Sequence, residues 1–200
     1  MGLDCYTYRM SHSSQLLELQ QEIISKQICS ELADQASQLV MGDGNENADI
    51  VFIGEAPGKK EDETGLPFVG ASGRFLNQML EVAEMSREDV YITNIVKYRP
   101  PDNRDPSVEE KREFWPYLMR QLGIIDPKVV ITLGRHSMEC FMPGAKISER
   151  HGVAKKITYQ DHEFLLIPLY HPAAALYNGS MRQTLIDDFV AAKALADAEK

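Results

Sequence analysis

The chain has no apolar run near the roughly 20 residues needed to span a bilayer. Its first residues, Met1 to Arg9, lack the apolar core of a secretory leader. These absences point to a cytoplasmic protein with no membrane partner. Cysteine is scarce. Cys5, Cys29 and Cys140 lie far apart with no C-x-x-C pair, which excludes a sequence-evident zinc site or redox motif and leaves reduced, partly buried thiols. There is no internal repeat, no low-complexity segment, no G-x-G-x-x-G and no Gly-Lys-Ser/Thr phosphate loop, so a small-nucleotide-binding enzyme has no support. Positive charge is also short, with 21 Lys and Arg against 30 Asp and Glu, a net charge of −9. Nucleic-acid binders usually carry a basic patch. Here the acids crowd into Asp43 to Asp49, Glu81 to Asp89 and the C-terminal segment. Lys97, Arg99 and Arg104 fall together, and Lys59, Lys60 and Arg74 flank another motif. An acidic body with one basic working face accommodates both facts.

What is present fits a single domain over residues 1–200, opening with an N-terminal helical segment over 1–31. An apolar fraction of 44% and a charged fraction of 26% are ordinary for a globular protein. Apolar spacing near 3.6 over Gln15 to Val40 predicts one or two helices, broken at Gly42-Asp43-Gly44-Asn45. Buried strands are expected over Asp49 to Gly54, Val90 to Asn94 and Lys128 to Leu133. Helices are expected over Arg74 to Ala83, Val108 to Leu122, Arg135 to Phe141 and Met181 to Ala196. Lys155 to Tyr159 and Phe164 to Leu169 read as a hairpin-like pair across Gln160 to Glu163. This alternation predicts an α/β fold, a three-layer α/β/α sandwich around a mainly parallel sheet. Ligands gather at the carboxyl ends of such strands.

The unusual residues sit at those ends. Gly54-Glu55-Ala56-Pro57-Gly58 turns sharply after the first strand, exposing backbone N–H groups and placing a carboxylate at the turn. It continues through Glu61-Asp62 to Gly65-Leu66-Pro67-Phe68-Val69-Gly70. Tyr91-Ile92-Thr93-Asn94-Ile95-Val96-Lys97 ends a strand on Asn94, whose amide offers both donors and an acceptor for the edge of a pyrimidine. Tyr98 to Arg104 follows as a Pro-rich loop. Tyr170-His171-Pro172-Ala173 brings a histidine to the same edge.

Together these blocks resemble the family 4 uracil-DNA glycosylases. The match runs from about Leu32 to about Phe189, through Gly-Glu-Ala-Pro-Gly, Glu-Asp-x-x-Gly-x-Pro-Phe-Val-Gly, Tyr-Ile-Thr-Asn-x-Val-Lys, Arg-Pro-Pro-x-Asn-Arg and His-Pro-Ala. The resemblance implies an enzyme that hydrolyses the N-glycosidic bond of deoxyuridine in single- or double-stranded DNA, acting as a monomer. The uracil pocket would comprise Gly54, Ala56, Phe68 and Asn94, with Phe68 stacking on the base and Asn94 reading its edge. His171 would donate to the leaving base and Glu55 would handle water, with Glu61 and Asp62 in reserve. Lys97, Arg99, Arg104 and Arg182 would grip phosphates, and Leu176 and Tyr177 would fill the vacated stack. A relative that binds DNA without cleaving it, or a glycosylase for another deaminated base such as hypoxanthine, are the alternatives.

One departure is marked. Family members bind a [4Fe–4S] cluster through four cysteines. The corresponding positions here are Gln27, Ser30, Tyr98 and Phe114, and Cys29 lies one residue off. Four thiolates are needed. The expectation is therefore a fold without cluster or metal, with aromatic packing in the cluster's place.

Overall fold

The computed structural model describes residues 11–160 and 162–199; Cys5, the start of the N-terminal segment, and Asp161 lie outside them. Helix α1 (His12–Ser25) begins at Ser11, whose hydroxyl accepts from the Ser14 N–H, the role an N-cap serine fills. The helical spacing of Gln15 to Val40 does not run through. Gln27 and Cys29 both take left-handed backbone conformations (φ 51°), so only a short α2 (Ser30–Ala33) follows. The expected break at 42–45 instead holds a two-residue strand, β1 (Asp43–Gly44).

Strand β2 (Ile50–Gly54) is buried throughout, as its β-branched run requires of a strand covered on both faces. The loop after it contains a helix absent from the sequence reading, α3 (Lys59–Thr64), and leads into α4 (Ala71–Val82). Strand β3 (Tyr91–Asn94) and then α5 (Val108–Ile125) follow; Ser107 and Glu110 form a capping box at the start of α5. Strand β4 (Val129–Leu133), α6 (Arg135–Phe141), α7 (Ile147–Arg150), β5 (Lys155–Tyr159) and β6 (His162–Leu169) come next. The described residues end with α8 (Ala173–Tyr177) and α9 (Met181–Ala198).

The sheet order is β1-β3-β2-β4-β6-β5. The four inner strands are parallel, and the two edge strands, β1 and β5, pair antiparallel. The expected mainly parallel α/β sandwich is the observed one. One apolar cluster packs α1 and α5 on one face of the sheet. A second packs α4 and α9 on the other, where Phe52 and Phe189 stack at 5.3 Å. The chain runs from β2 to β3 on one side and then returns to place β4 on the other. That reversal opens a crevice at the carboxyl ends of the inner strands. No described helix is long and apolar enough to cross a membrane.

Candidate active site

A cavity of about 300 Å³ lies at this edge, and its walls come from the segments after β2, β3 and β6 that the sequence singled out, with none of the lining residues from Tyr98 to Arg104. Ala56, Gly58 and Glu61 follow β2, Phe68 and Gly70 precede α4, Asn94 ends β3, and His171 follows β6. Asn94 is 2% exposed and its buried Oδ1 has no hydrogen-bond partner among the described residues. An unpaired buried acceptor is costly in a folded protein, and it is satisfied when a ligand donates to it. His171 has a fixed tautomer. Its Nδ1 accepts from the Ala173 N–H at 3.1 Å, so the ring proton sits on Nε2. Burial pulls its pKa down to about 4, against a smaller upward pull from Glu61. The imidazole is therefore a neutral donor at physiological pH.

Phe68 and His171 rings lie 5.7 Å apart at 33°. The Phe68 backbone is left-handed (φ 52°), a strained state for an aromatic residue. Arg87 holds it there by donating to the carbonyls of Pro67 and Phe68. Gly73 makes room, since a Cβ on it would fall 1.8 Å from the Phe68 carbonyl oxygen. Nothing in the motif spacing pointed to Arg87. Gly54 has a comparable role on the other side. A Cβ there would lie 2.3 Å from Asn94 Oδ1 and 2.6 Å from the Phe68 ring. Gly54→Ala is thus expected to cost about 1–3 kcal/mol of stability through overpacking and most of the activity. Thermal denaturation and oligonucleotide cleavage on one preparation check both.

The acids divide differently from the sequence reading. Glu55 does not line the cavity. Its carboxylate lies 3.7 Å from His136 Nε2, beside Asp105, and burial, with Asp105 adding to it, raises its pKa to about 7. Glu61 does line the cavity. Its Oε1 accepts from the Val69 and Gly70 N–H groups at 2.9 and 2.8 Å, and Oε2 has no partner among the described residues. Asp62 is structural, with both oxygens taken by the Ser37 N–H and hydroxyl. His136 gave no sequence signal beyond following β4 by three residues. Glu55, Asp105 and His136 offer ligand atoms within 4.8 Å of one another. The Arg135 guanidinium already serves two of them, at 3.0 Å from His136 Nε2 and 3.2 Å from Asp105.

Among the expected phosphate contacts, Lys97 must be corrected. It is fully buried. The chain continues to pair with β2 beyond Asn94, through Ile95 N–H to Gly54 and Val96 N–H to Glu55, which carries Lys97 into the interior. Arg104 is exposed but forked onto Glu110. Arg99 donates to Asn103 at 2.8 Å. Arg182 lies over the Phe75 ring at 4.4 Å and donates to Gln78. None of these three lines the cavity, whereas Leu176 and Tyr177 stand at its mouth, Tyr177 92% exposed.

An aromatic ring, an amide and a neutral imidazole converge on one cavity at the parallel-sheet edge of an α/β enzyme fold. The chain belongs to the uracil-DNA glycosylase superfamily, whose family model matches residues 41–193. It is similar to the type-4 uracil-DNA glycosylase of Sulfurisphaera tokodaii, 42% identical over 193 residues that cover 92% of this chain and 86% of that one. The type-4 enzyme of Saccharolobus solfataricus is 47% identical over 156 residues, 75% of this chain and 72% of its own. That of Thermotoga maritima is 37% identical over 187 residues, covering 92% and 97%.

Proposed function

We propose that this chain excises uracil from DNA, and that the cavity between Phe68, Asn94 and His171 receives the extruded base. The observation that carries this reading is the buried, unpartnered Asn94 Oδ1 in the cavity wall. Bases must leave the stack for their glycosidic bond to be reached. Phe68 then stacks on one face. Asn94 Oδ1 accepts from N3–H and its Nδ2 donates to O4. Cytosine presents the opposite pattern, which leaves the fixed amide unpaired. As the C1′–N1 bond breaks, negative charge spreads onto the base, and His171 Nε2–H donates to O2 where that charge develops. The sugar becomes cationic. A water oxygen bonds to C1′, and the water's proton ends on the released uracil. Glu61, with one oxygen anchored on two backbone N–H groups, orients that water with the other. Leu176 and Tyr177 enter the vacated stack of a duplex as an apolar wedge, and Arg99, Arg104 and Arg182 meet the backbone further out. The test is an oligonucleotide with one deoxyuridine. Alkali-labile breaks at that position support the reading, and intact DNA contradicts it.

The two acids separate by mutation. Glu61→Gln keeps an acceptor for the two N–H groups and is expected to slow cleavage about 10²-fold, within the usual range for a positioned acid–base group. Glu55→Gln is expected to leave the rate within a fewfold. It should instead change stability with pH. Glu55 binds its proton more tightly folded than unfolded, so stability is lost as pH rises from the ordinary carboxylate pKa of 4.5 through about 7. The variant should melt higher than the parent at pH 8 and no higher at pH 4.5. Equal melting temperatures at both would contradict the burial argument.

The residues at the cluster positions do not fit an iron–sulfur cluster. Tyr98 and Phe114 are buried and meet edge to face at 6.0 Å. Gln27 and Ser30 bring no thiol. The Cys29 thiol donates to the Glu110 carbonyl, and burial pushes its pKa well up, the reverse of a thiolate ligand. We propose that aromatic packing takes the cluster's structural role. Purified protein should be colourless and without iron; stoichiometric iron would overturn this.

A further inference from the structure

Lys97 is a fully buried lysine with no carboxylate partner among the described residues. Removing such a charge from water costs several kcal/mol, and burial pulls the Lys97 pKa well below its ordinary value. Three hydrogen bonds offset part of that cost. Its Nζ lies 2.6 Å from Thr93 Oγ1, 2.8 Å from the Asn94 carbonyl oxygen and 2.6 Å from Gln121 Oε1, three acceptors for three N–H groups. The acceptors are themselves tied down. Thr93 donates to the Met41 carbonyl at 2.8 Å, and Gln121 Nε2 reaches the same carbonyl at 3.0 Å and the Tyr91 hydroxyl at 3.1 Å.

The topology explains why a side chain is needed there. Strand β1 pairs with β3 only as Asp43 with Ile92 and Gly44 with Tyr91. Continued two residues further, that register would set Met41 against Asn94. It stops short, so the carbonyl of Asn94 has no strand on that side to donate to it. The lysine amine supplies the missing donor and links the end of β3 to α5 through Gln121. Asn94 is the residue whose amide faces the cavity, and an amide that discriminates uracil from cytosine must be held against rotation and drift.

We infer that Lys97 is a positioning residue for base recognition, fixing Asn94 through its main-chain carbonyl. The inference rests on the reading of Asn94 as the group that reads the base. Lys97→Met keeps a side chain of similar length and removes the donors. The assay is cleavage of a deoxyuridine oligonucleotide with enzyme in excess, where the rate constant belongs to the folded enzyme and is insensitive to a lost folded fraction. Affinity for the same DNA carrying an abasic-site analogue is measured alongside. Lys97→Met should cut the rate constant about tenfold, the ordinary worth of one hydrogen bond to a charged group, with abasic-site affinity unchanged. A wild-type rate constant with only a lowered melting temperature would reduce Lys97 to a structural role. Asn94→Ala in the same assay separates the failures. Loss in Asn94→Ala with none in Lys97→Met overturns the inference alone, and no loss in either overturns the reading of Asn94 as well. Should Lys97→Met not fold, Thr93→Val removes one acceptor from the lysine and is held to the same expectation.

Discussion

Replacing His171 with alanine is expected to lower the rate of uracil release about 10²–10³-fold, the usual loss when one preorganised donor to developing charge is removed. The protein should remain folded, since the side chain borders a cavity and its one hydrogen bond is to a neighbouring N–H. The effect is large because the donor is already aligned, with its tautomer fixed by the Ala173 amide. The pH dependence carries a second signature. A free histidine would titrate near 6.5, but this one stays neutral down to about 4. The wild-type rate should therefore show no inflection from this residue between pH 5 and 8. Stability behaves differently. The unfolded chain takes up the proton first, so this group's contribution is fully present above pH 6.5 and falls away as the pH drops toward 4. Single-turnover cleavage across that range, with melting curves at each pH, checks both. A rate that falls through pH 6.5 as one proton binds, and that loses this limb in His171→Ala, would show a titrating imidazole and contradict the assignment.

Asn94→Ala should be comparably severe, about 10²-fold or more, because it removes two hydrogen bonds to the base edge from a dry site. Its selectivity should fail too. Without the amide the pocket retains ring stacking and the His171 donor, neither of which distinguishes uracil from cytosine. The ratio of rates on the two bases should shrink even as the uracil rate drops. The stability change should be small or favourable, since the substitution deletes a buried acceptor that has no partner among the described residues. A parental uracil rate in Asn94→Ala would remove this residue from the site.

The sheet and its chemistry were legible in the sequence for a shared reason. Buried parallel strands such as Ile50–Gly54 and Val129–Leu133 are continuous apolar runs, and residues that break that pattern at their carboxyl ends fall together in space. Asn94 and His171 stood out in this way, whereas Phe68 was assigned only by the family resemblance. Features fixed by tertiary contact were not visible. Lys97 looked like surface charge, because nothing local shows that the chain keeps pairing with β2 past Asn94 or that Gln121, on a distant helix, waits to accept from it. The direction of Glu55 depended on His136 and Asp105, which are far away in sequence. Glu61 stood only in reserve, since α3, the short helix that brings it to the cavity wall, has no apolar period to announce it. The same limit hid Arg87, which holds Phe68 in its strained conformation from nineteen residues downstream.

On the proposed function, one pocket, formed by Phe68, Asn94 and His171, reads uracil and no other base. The most direct test is single-turnover cleavage of one oligonucleotide sequence carrying deoxyuridine, deoxycytidine or hypoxanthine at the same position. Rapid cleavage at uracil, with cytosine untouched and hypoxanthine slower by orders of magnitude, is the expected result. Equal or faster release of hypoxanthine, or no cleavage of any of the three, would contradict it.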